Sequence, residues 1–184
     1  GVTTDDTVGA CEATGELIRN GCREIVCVTY DLSPSQSEYV HNRNQGYERA
    51  MAASGMTPRF LRLHESPGPD MYRNDYIALL TGARVPDGVF CINDTIALGV
   101  MQAAYHCGVR MPDELKIVGF GDMEPGPYAV VPLSSVHQDF EGMGFLATQQ
   151  VIQAIESSEE ELLRHPHNHL LPTRLIVRSS SGVA

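Results

Sequence analysis

Hydrophobic and polar positions along this chain follow two periods that take turns. Continuous apolar runs occur in "EIVCVTY" (24–30), "GVFCIN" (88–93) and "LKIVGF" (115–120), the pattern of strands covered on both faces. "RFLRLH" (59–64) alternates as a further strand, "LSSV" (133–136) is a short one, and "HLLPTRLIV" (169–177) closes the chain as a strand. Between these runs the period lengthens. "TTDD" offers Asp and Thr oxygens to cap a helix in which Val8, Cys11 and Ile18 recur at helical spacing up to Asn20-Gly21. Further helices are predicted over 38–54, which ends at Gly55, over "DMYRNDYIALLTG" (70–82), over "DTIALGVMQAAYHCG" (94–108), and over 139–156.

Strands separated by helices of this length imply right-handed crossovers and a parallel α/β sheet flanked by helices. Ligands of such a sheet settle outside the carboxyl ends of its strands. Four loops fall there: 31–39, 64–70, 93–94 and 121–127. The last, inside "VGFGDMEPGPYAVVPLSS", combines glycines and prolines as the wall of a cleft would.

Charge and cysteine usage narrow the partners. The net charge of -10, from 13 Lys+Arg against 23 Asp+Glu, opposes phosphate backbones and anionic lipid, so nucleic acid and membrane are not expected as partners of this segment itself. Five cysteines, an odd number without C-x-x-C spacing, read as reduced core thiols of a cytoplasmic protein. No apolar run approaches the roughly 20 residues of a membrane span, and "GVTTDDTVGA" is not a basic-then-apolar leader.

Six motifs in order then carry a resemblance. They are "RNGCREIVCVT", "RNQGYERAM", "VFCINDTIALGVMQAAYHCGVRMP", "VGFGD", "YAVVPLSSVHQDF" and "LLPTRLIVRSS". Together they resemble the effector-binding core of the lactose-repressor and galactose-repressor family of bacterial transcription regulators, from about Asp5 to Ser180. The resemblance implies a periplasmic-binding-protein-like fold of two lobes, one essentially complete here and the other partial, and a homodimer. It also implies operator DNA binding through an N-terminal helix-turn-helix, which nothing in this sequence resembles, so the chain reads as a fragment. The expected division is 1–21 as a returning piece of the first lobe, 22–137 as the second, effector-binding lobe, 138–158 as a helix of the first lobe, and 159–184 as a linker and closing strand of the second lobe. Helices 1–21 and 138–158 would then present apolar faces lacking part of their sheet.

By position in these motifs, the resemblance implies a small-molecule site built from Arg43, Asn93, Gly121, Asp122 and Gln138, taking a sugar, sugar acid or sugar phosphate. Arg43 has a fork suited to paired oxygens, its bland alternative being a solvated partner of Glu38 or Glu48. Asn93 suits a hydroxyl, with Asp94 as the helix cap. Gln138 matches a cleft position at a lobe crossing. Gly121 departs from the pattern: it stands where the family has the first aspartate of Val-Gly-Phe-Asp-Asp, with Asp122 as the second and free to swing inward behind a glycine. Without that aspartate Arg43 has less negative charge to balance it, which favours an acidic effector. His165, His167 and His169 alternate, but Pro166 and the absence of nearby thiolates or carboxylates argue against zinc. No cofactor, metal or catalytic constellation is expected, so the chain reads as a sensing module and not an enzyme. The alternative is a free-standing sugar-binding protein of the transport kind, which shares the fold. The helix over 95–107 is expected near a dimer partner, because Met101, Tyr105 and His106 add bulk around its apolar stripe.

Overall fold

The computed structural model describes residues 1–64, 73–156 and 168–182. In chain order these form β1 (Val2–Thr4), α1 (Asp6–Arg19), β2 (Ile25–Tyr30), α2 (Glu38–Ala53), β3 (Phe60–Leu63), α3 (Arg73–Thr81), β4 (Gly88–Cys91), α4 (Asp94–His106), β5 (Lys116–Gly121), β6 (Ser134–His137), α5 (Phe140–Glu156), β7 (His169–Leu171) and β8 (Arg174–Ile176). A six-stranded sheet runs β3-β2-β4-β5-β6-β8. Its neighbours pair in parallel as far as β6, as the spacing predicts, and β8 lies antiparallel to β6. The step from β2 to β3 and the step from β3 back to β4 run in opposite directions across the sheet. Right-handed crossovers therefore put α2 and α3 on opposite faces, and the crevice at this reversal is where an open sheet accepts ligand.

The strands predicted from apolar runs are the buried centre. Ile25, Val26, Cys27 and Val28 of β2, Val89, Phe90 and Cys91 of β4, and Ile117, Val118 and Phe120 of β5 are all shielded from solvent. That is the cost-free arrangement for residues with no polar face, because both sides of the sheet are covered. All five thiols are free. Those of Cys22, Cys27 and Cys91 are buried, and burial pushes the Cys22 thiol up to about 11 and the other two well above their ordinary value.

Two expectations need correction. Helix α1 does not sit on an incomplete lobe. It packs against α2 and over the six-stranded sheet, with Ala10, Ala13 and Leu17 fully buried in the same core as β4 and β5. Small residues make this close approach possible: a Cβ on Gly9 would meet Thr173 Oγ1 at 2.7 Å and Val136 Cγ1 at 2.8 Å. Asp5 caps the helix as the "TTDD" reading requires, accepting from the Val8 N–H at 3.0 Å. The second correction concerns the closing strand, which is split around Pro172. Its first half, β7, pairs with β1 in a separate two-stranded ribbon, while β8 joins the main sheet. Proline lacks the N–H that one continuous ladder would need there.

Helix α5 contacts β1 and leaves Phe145, Val151, Ile152 and Ile155 more than half exposed. His165 and His167 lie outside the described residues; among those described, no cluster of three or more metal-donor side chains exists. Among the same residues no helix is long and apolar enough to cross a membrane.

The α1–α2 contact yields a stability test. A Cβ on Gly46 would drive into the Thr7 carbonyl and lie 2.7 Å from Ala10 Cβ and 2.9 Å from Cys11 N. Two of these obstacles are backbone and cannot rotate away, so Gly46→Ala is expected to lower stability by about 1–3 kcal/mol, the range for overpacked cores. Urea denaturation with an unchanged slope and an unchanged midpoint would contradict this contact.

Candidate functional site

A cleft of about 740 Å³ opens where the carboxyl ends of the main sheet face β1, β7 and the start of α5. Of the residues expected to form a site, Arg43, Asn93, Gly121 and Gln138 all line it. They arrive from α2, the end of β4, the end of β5 and the segment after β6, which is the convergence expected of residues grouped outside the strand ends.

Arg43 is the hub, only 6% exposed. Its Nη1 donates to the Ile92 carbonyl at 2.7 Å, which ties the guanidinium to the end of β4. Its Nε and Nη2 donate to the two carboxylate oxygens of Asp6 at 3.3 and 3.4 Å, and Nη2 also donates to Gln138 Oε1 at 3.2 Å. The Phe120 ring lies 3.8 Å from the guanidinium carbon and the Tyr39 ring 4.8 Å. Burial holds the Arg43 pKa below its ordinary value, with Asp6 working in the opposite direction. Gln138 completes the ring: its Nε2 donates to Thr4 Oγ1 at 2.7 Å and to Asp6 Oδ1 at 3.3 Å, while the Thr4 hydroxyl donates to Asp6 Oδ1 at 2.8 Å.

This geometry corrects the charge balance expected around Arg43. Neither Glu38 nor Glu48 neutralises it; a buried carboxylate, Asp6, already does. Asp6 was not among the expected site residues. Its signal was present in "TTDD", since one aspartate suffices for a cap and Asp5 serves, leaving the second free to turn inward.

Asn93 lines the cleft as expected, but it also takes the capping role expected of Asp94. Asn93 caps α4, its Oδ1 accepting from the Ile96 N–H at 2.8 Å, and it lines the cleft at the same time. Asp94 is fully buried, accepting from the Ser135 hydroxyl and from the Met123 N–H, both at 2.6 Å. Burial raises its pKa, against those hydrogen bonds.

Gly121 stands in the cleft wall with φ 122, a backbone that L side chains rarely adopt. An aspartate installed there would therefore disturb the loop as well as add charge. Asp122 does not swing inward. Arg178 Nη2 donates to its Oδ1 at 2.7 Å and His137 Nδ1 lies 3.0 Å from its Oδ2, so both oxygens are held on the side of β6 and β8. It is absent from the cleft lining.

What the arrangement offers chemically is a set of hydroxyl partners against apolar walls. Asn93, Asn42 and Ser37 are polar; Phe140, Met123, Met143 and Leu170 are not. Ser37 Oγ is buried with no hydrogen-bond partner among the described residues.

Comparison with known proteins places the chain in a family and matches its fold. The family of periplasmic binding protein-like domains matches residues 14–181. The chain is 32% identical over 162 residues to the ribose operon repressor of Haemophilus influenzae, covering 86% of this chain and 47% of that protein. It is 28% identical over 174 residues to the HTH-type transcriptional repressor PurR of the same species, covering 94% and 50%. A solved structure of the transcriptional regulator CelR in complex with cellobiose superposes with a TM-score of 0.81 at 27% identity, covering 97% of this chain and 53% of that one. The chain thus spans about half the length of the relatives it matches.

Proposed function

Because this chain belongs to the periplasmic-binding-protein-like family, we propose that it is the effector-sensing module of a DNA-binding transcription regulator of the lactose-repressor kind, taking a small sugar in the cleft around Arg43. The observation that carries this reading is the meeting of Arg43, Asn93 and Gln138 in one cleft with Asp6. Arg43, Asp6 and Gln138 form a hydrogen-bonded ring beside Asn93 and apolar walls, which is how a protein holds a polyhydroxylated molecule. The similarity to a ribose operon repressor supports a sugar as the class.

The wider protein is proposed to act in the cytoplasm and to reach operator DNA through a helix-turn-helix outside these 184 residues, with ligand binding rather than catalysis as its chemistry. The β1–β7 ribbon and α5 are proposed to belong to one lobe and the six-stranded sheet with α1 to α4 to the other. Closure of the two around ligand would then change their relative position.

A homodimer is proposed as well. Of the bulky groups expected on α4, Met101 is 7% exposed and belongs to the core, while Tyr105 is 75% exposed. Tyr128 and Val130, at 82% and 95%, add further uncovered apolar surface. Sedimentation as a monomer at micromolar concentration would overturn the dimer.

The effector reading is tested by calorimetric titration of the chain with D-ribose and a panel of other neutral pentoses, hexoses and disaccharides. At least one is expected to bind with micromolar to millimolar affinity. If none of the panel binds a folded sample, the reading fails.

A further inference from the structure

Among the described residues, the charges that line the cleft are two carboxylates, Asp6 and Glu38, and one guanidinium, that of Arg43. Arg43 and Asp6 are paired with side chains 8% and 7% exposed. The guanidinium's edge is nearly spent on Asp6, Gln138 and the Ile92 carbonyl, and both flanking rings lie against it. An incoming anion would meet a cation already neutralised, with a carboxylate beside it that cannot retreat into solvent. Replacing Asp6 would require moving a group held by the Thr4 hydroxyl and the Gln138 amide as well.

We propose that Asp6 is a built-in counter-ion that closes the cleft to anions, making it a specificity-determining residue, and that the effector is an uncharged polyol. This rests on the cleft being the effector site and names the ligand class it admits. Hydroxyls are both donors and acceptors, so they can use what remains: the buried Ser37 Oγ, without a partner among the described residues, and the Asn93 amide nitrogen, whose Oδ1 is the capping atom. The charged oxygens of a phosphate or carboxylate are acceptors that need a cation, and the one cation among the described lining residues is taken. The same logic removes the advantage that loss of a carboxylate at Gly121 would otherwise give to acidic ligands.

The test uses inorganic phosphate and D-ribose 5-phosphate as probes, titrated calorimetrically at fixed ionic strength against the wild-type chain and Asp6→Asn. The wild type is expected to bind either anion more weakly than about 10 mM. Asp6→Asn keeps the shape, frees the guanidinium charge, and is expected to bind them at least about tenfold more tightly, the effect of one like charge removed at contact range. Asp6→Ser serves in the same way if the asparagine variant does not fold. Submillimolar anion binding by the wild type overturns the proposal. So does a folded Asp6 variant that gains no anion affinity. Failure of every neutral sugar to bind would count against the effector site itself and leaves these two outcomes readable, since both are measured with anions alone.

Discussion

Arg43→Ala is expected to lose about 3–5 kcal/mol of stability, the cost of removing one partner from a buried ion pair, together with any ligand binding in the cleft. The loss comes less from the missing attraction than from what stays behind. Asp6, with a side chain 7% exposed, would keep only the Thr4 hydroxyl and the Gln138 amide as donors. The Ile92 carbonyl at the end of β4 would lose its donor at 2.7 Å, and Phe120 the cation on its face. Against a domain stability of roughly 5–15 kcal/mol, this is enough to bring the melting temperature down by about 6–20 °C, on the scale of about 2–4 °C per kcal/mol for chains of this size. A second variant separates the two causes. In Arg43→Met the stem volume is kept, and adding Asp6→Leu removes the stranded carboxylate. The double variant is expected to be more stable than Arg43→Met alone, because an apolar pair of similar volume tolerates burial where a lone charge does not. Additive losses in the two single variants and the double would show that Asp6 and Arg43 are not energetically coupled.

The parts of this protein that were legible in the sequence are those where one residue property decides the outcome. Runs such as "GVFCIN" have no polar side to present, so they had to be strands covered twice, and β2, β4 and β5 are adjacent and parallel. The site residues Arg43, Asn93, Gly121 and Gln138 were legible for a different reason: their positions in the motifs that resemble the repressor family implied them, and all four line one cleft. What was not legible depends on partners distant in sequence. Asp122 looks like a cleft carboxylate until Arg178, 56 positions away, takes its Oδ1. Asp6 looks like part of a cap until Arg43, 37 positions away, reaches it. Helix α1 has a sparse apolar stripe, with Val8 exposed, so its placement could not be read from hydrophobicity. Its glycine and alanine contacts place it, and those require knowing that Gly46 lies opposite.

Asp94→Ala is expected to cost roughly 2–6 kcal/mol, counting about 1–3 for each of the two buried donors left without an acceptor. The carboxylate is the anchor of the cleft loop. Met123 N–H and the Ser135 hydroxyl both donate to it at 2.6 Å, and Ser135 Oγ in turn accepts from the Asp122 N–H at 3.0 Å. No salt bridge to it is formed among the described residues, which leaves burial as the main influence and its pKa raised. The sign of the pH dependence follows. A carboxyl whose folded pKa lies above its unfolded value binds protons more readily in the native state. Its contribution is fully present below the unfolded carboxylate pKa, near 3.9 by about a unit, and is lost as pH rises through the folded value. Other acids titrate in the same range, so the readout is a difference. Asp94→Asn keeps an oxygen for Met123 and a nitrogen that can donate to Ser135 Oγ, and it does not titrate. Urea denaturation of wild type and Asp94→Asn, from about pH 4 to about pH 8, is expected to show the wild type losing stability relative to the asparagine variant as pH rises. A difference that grows in favour of the wild type would mean that the carboxylate is held ionised below its ordinary range, and that hydrogen bonds from the loop outweigh burial at the base of this cleft.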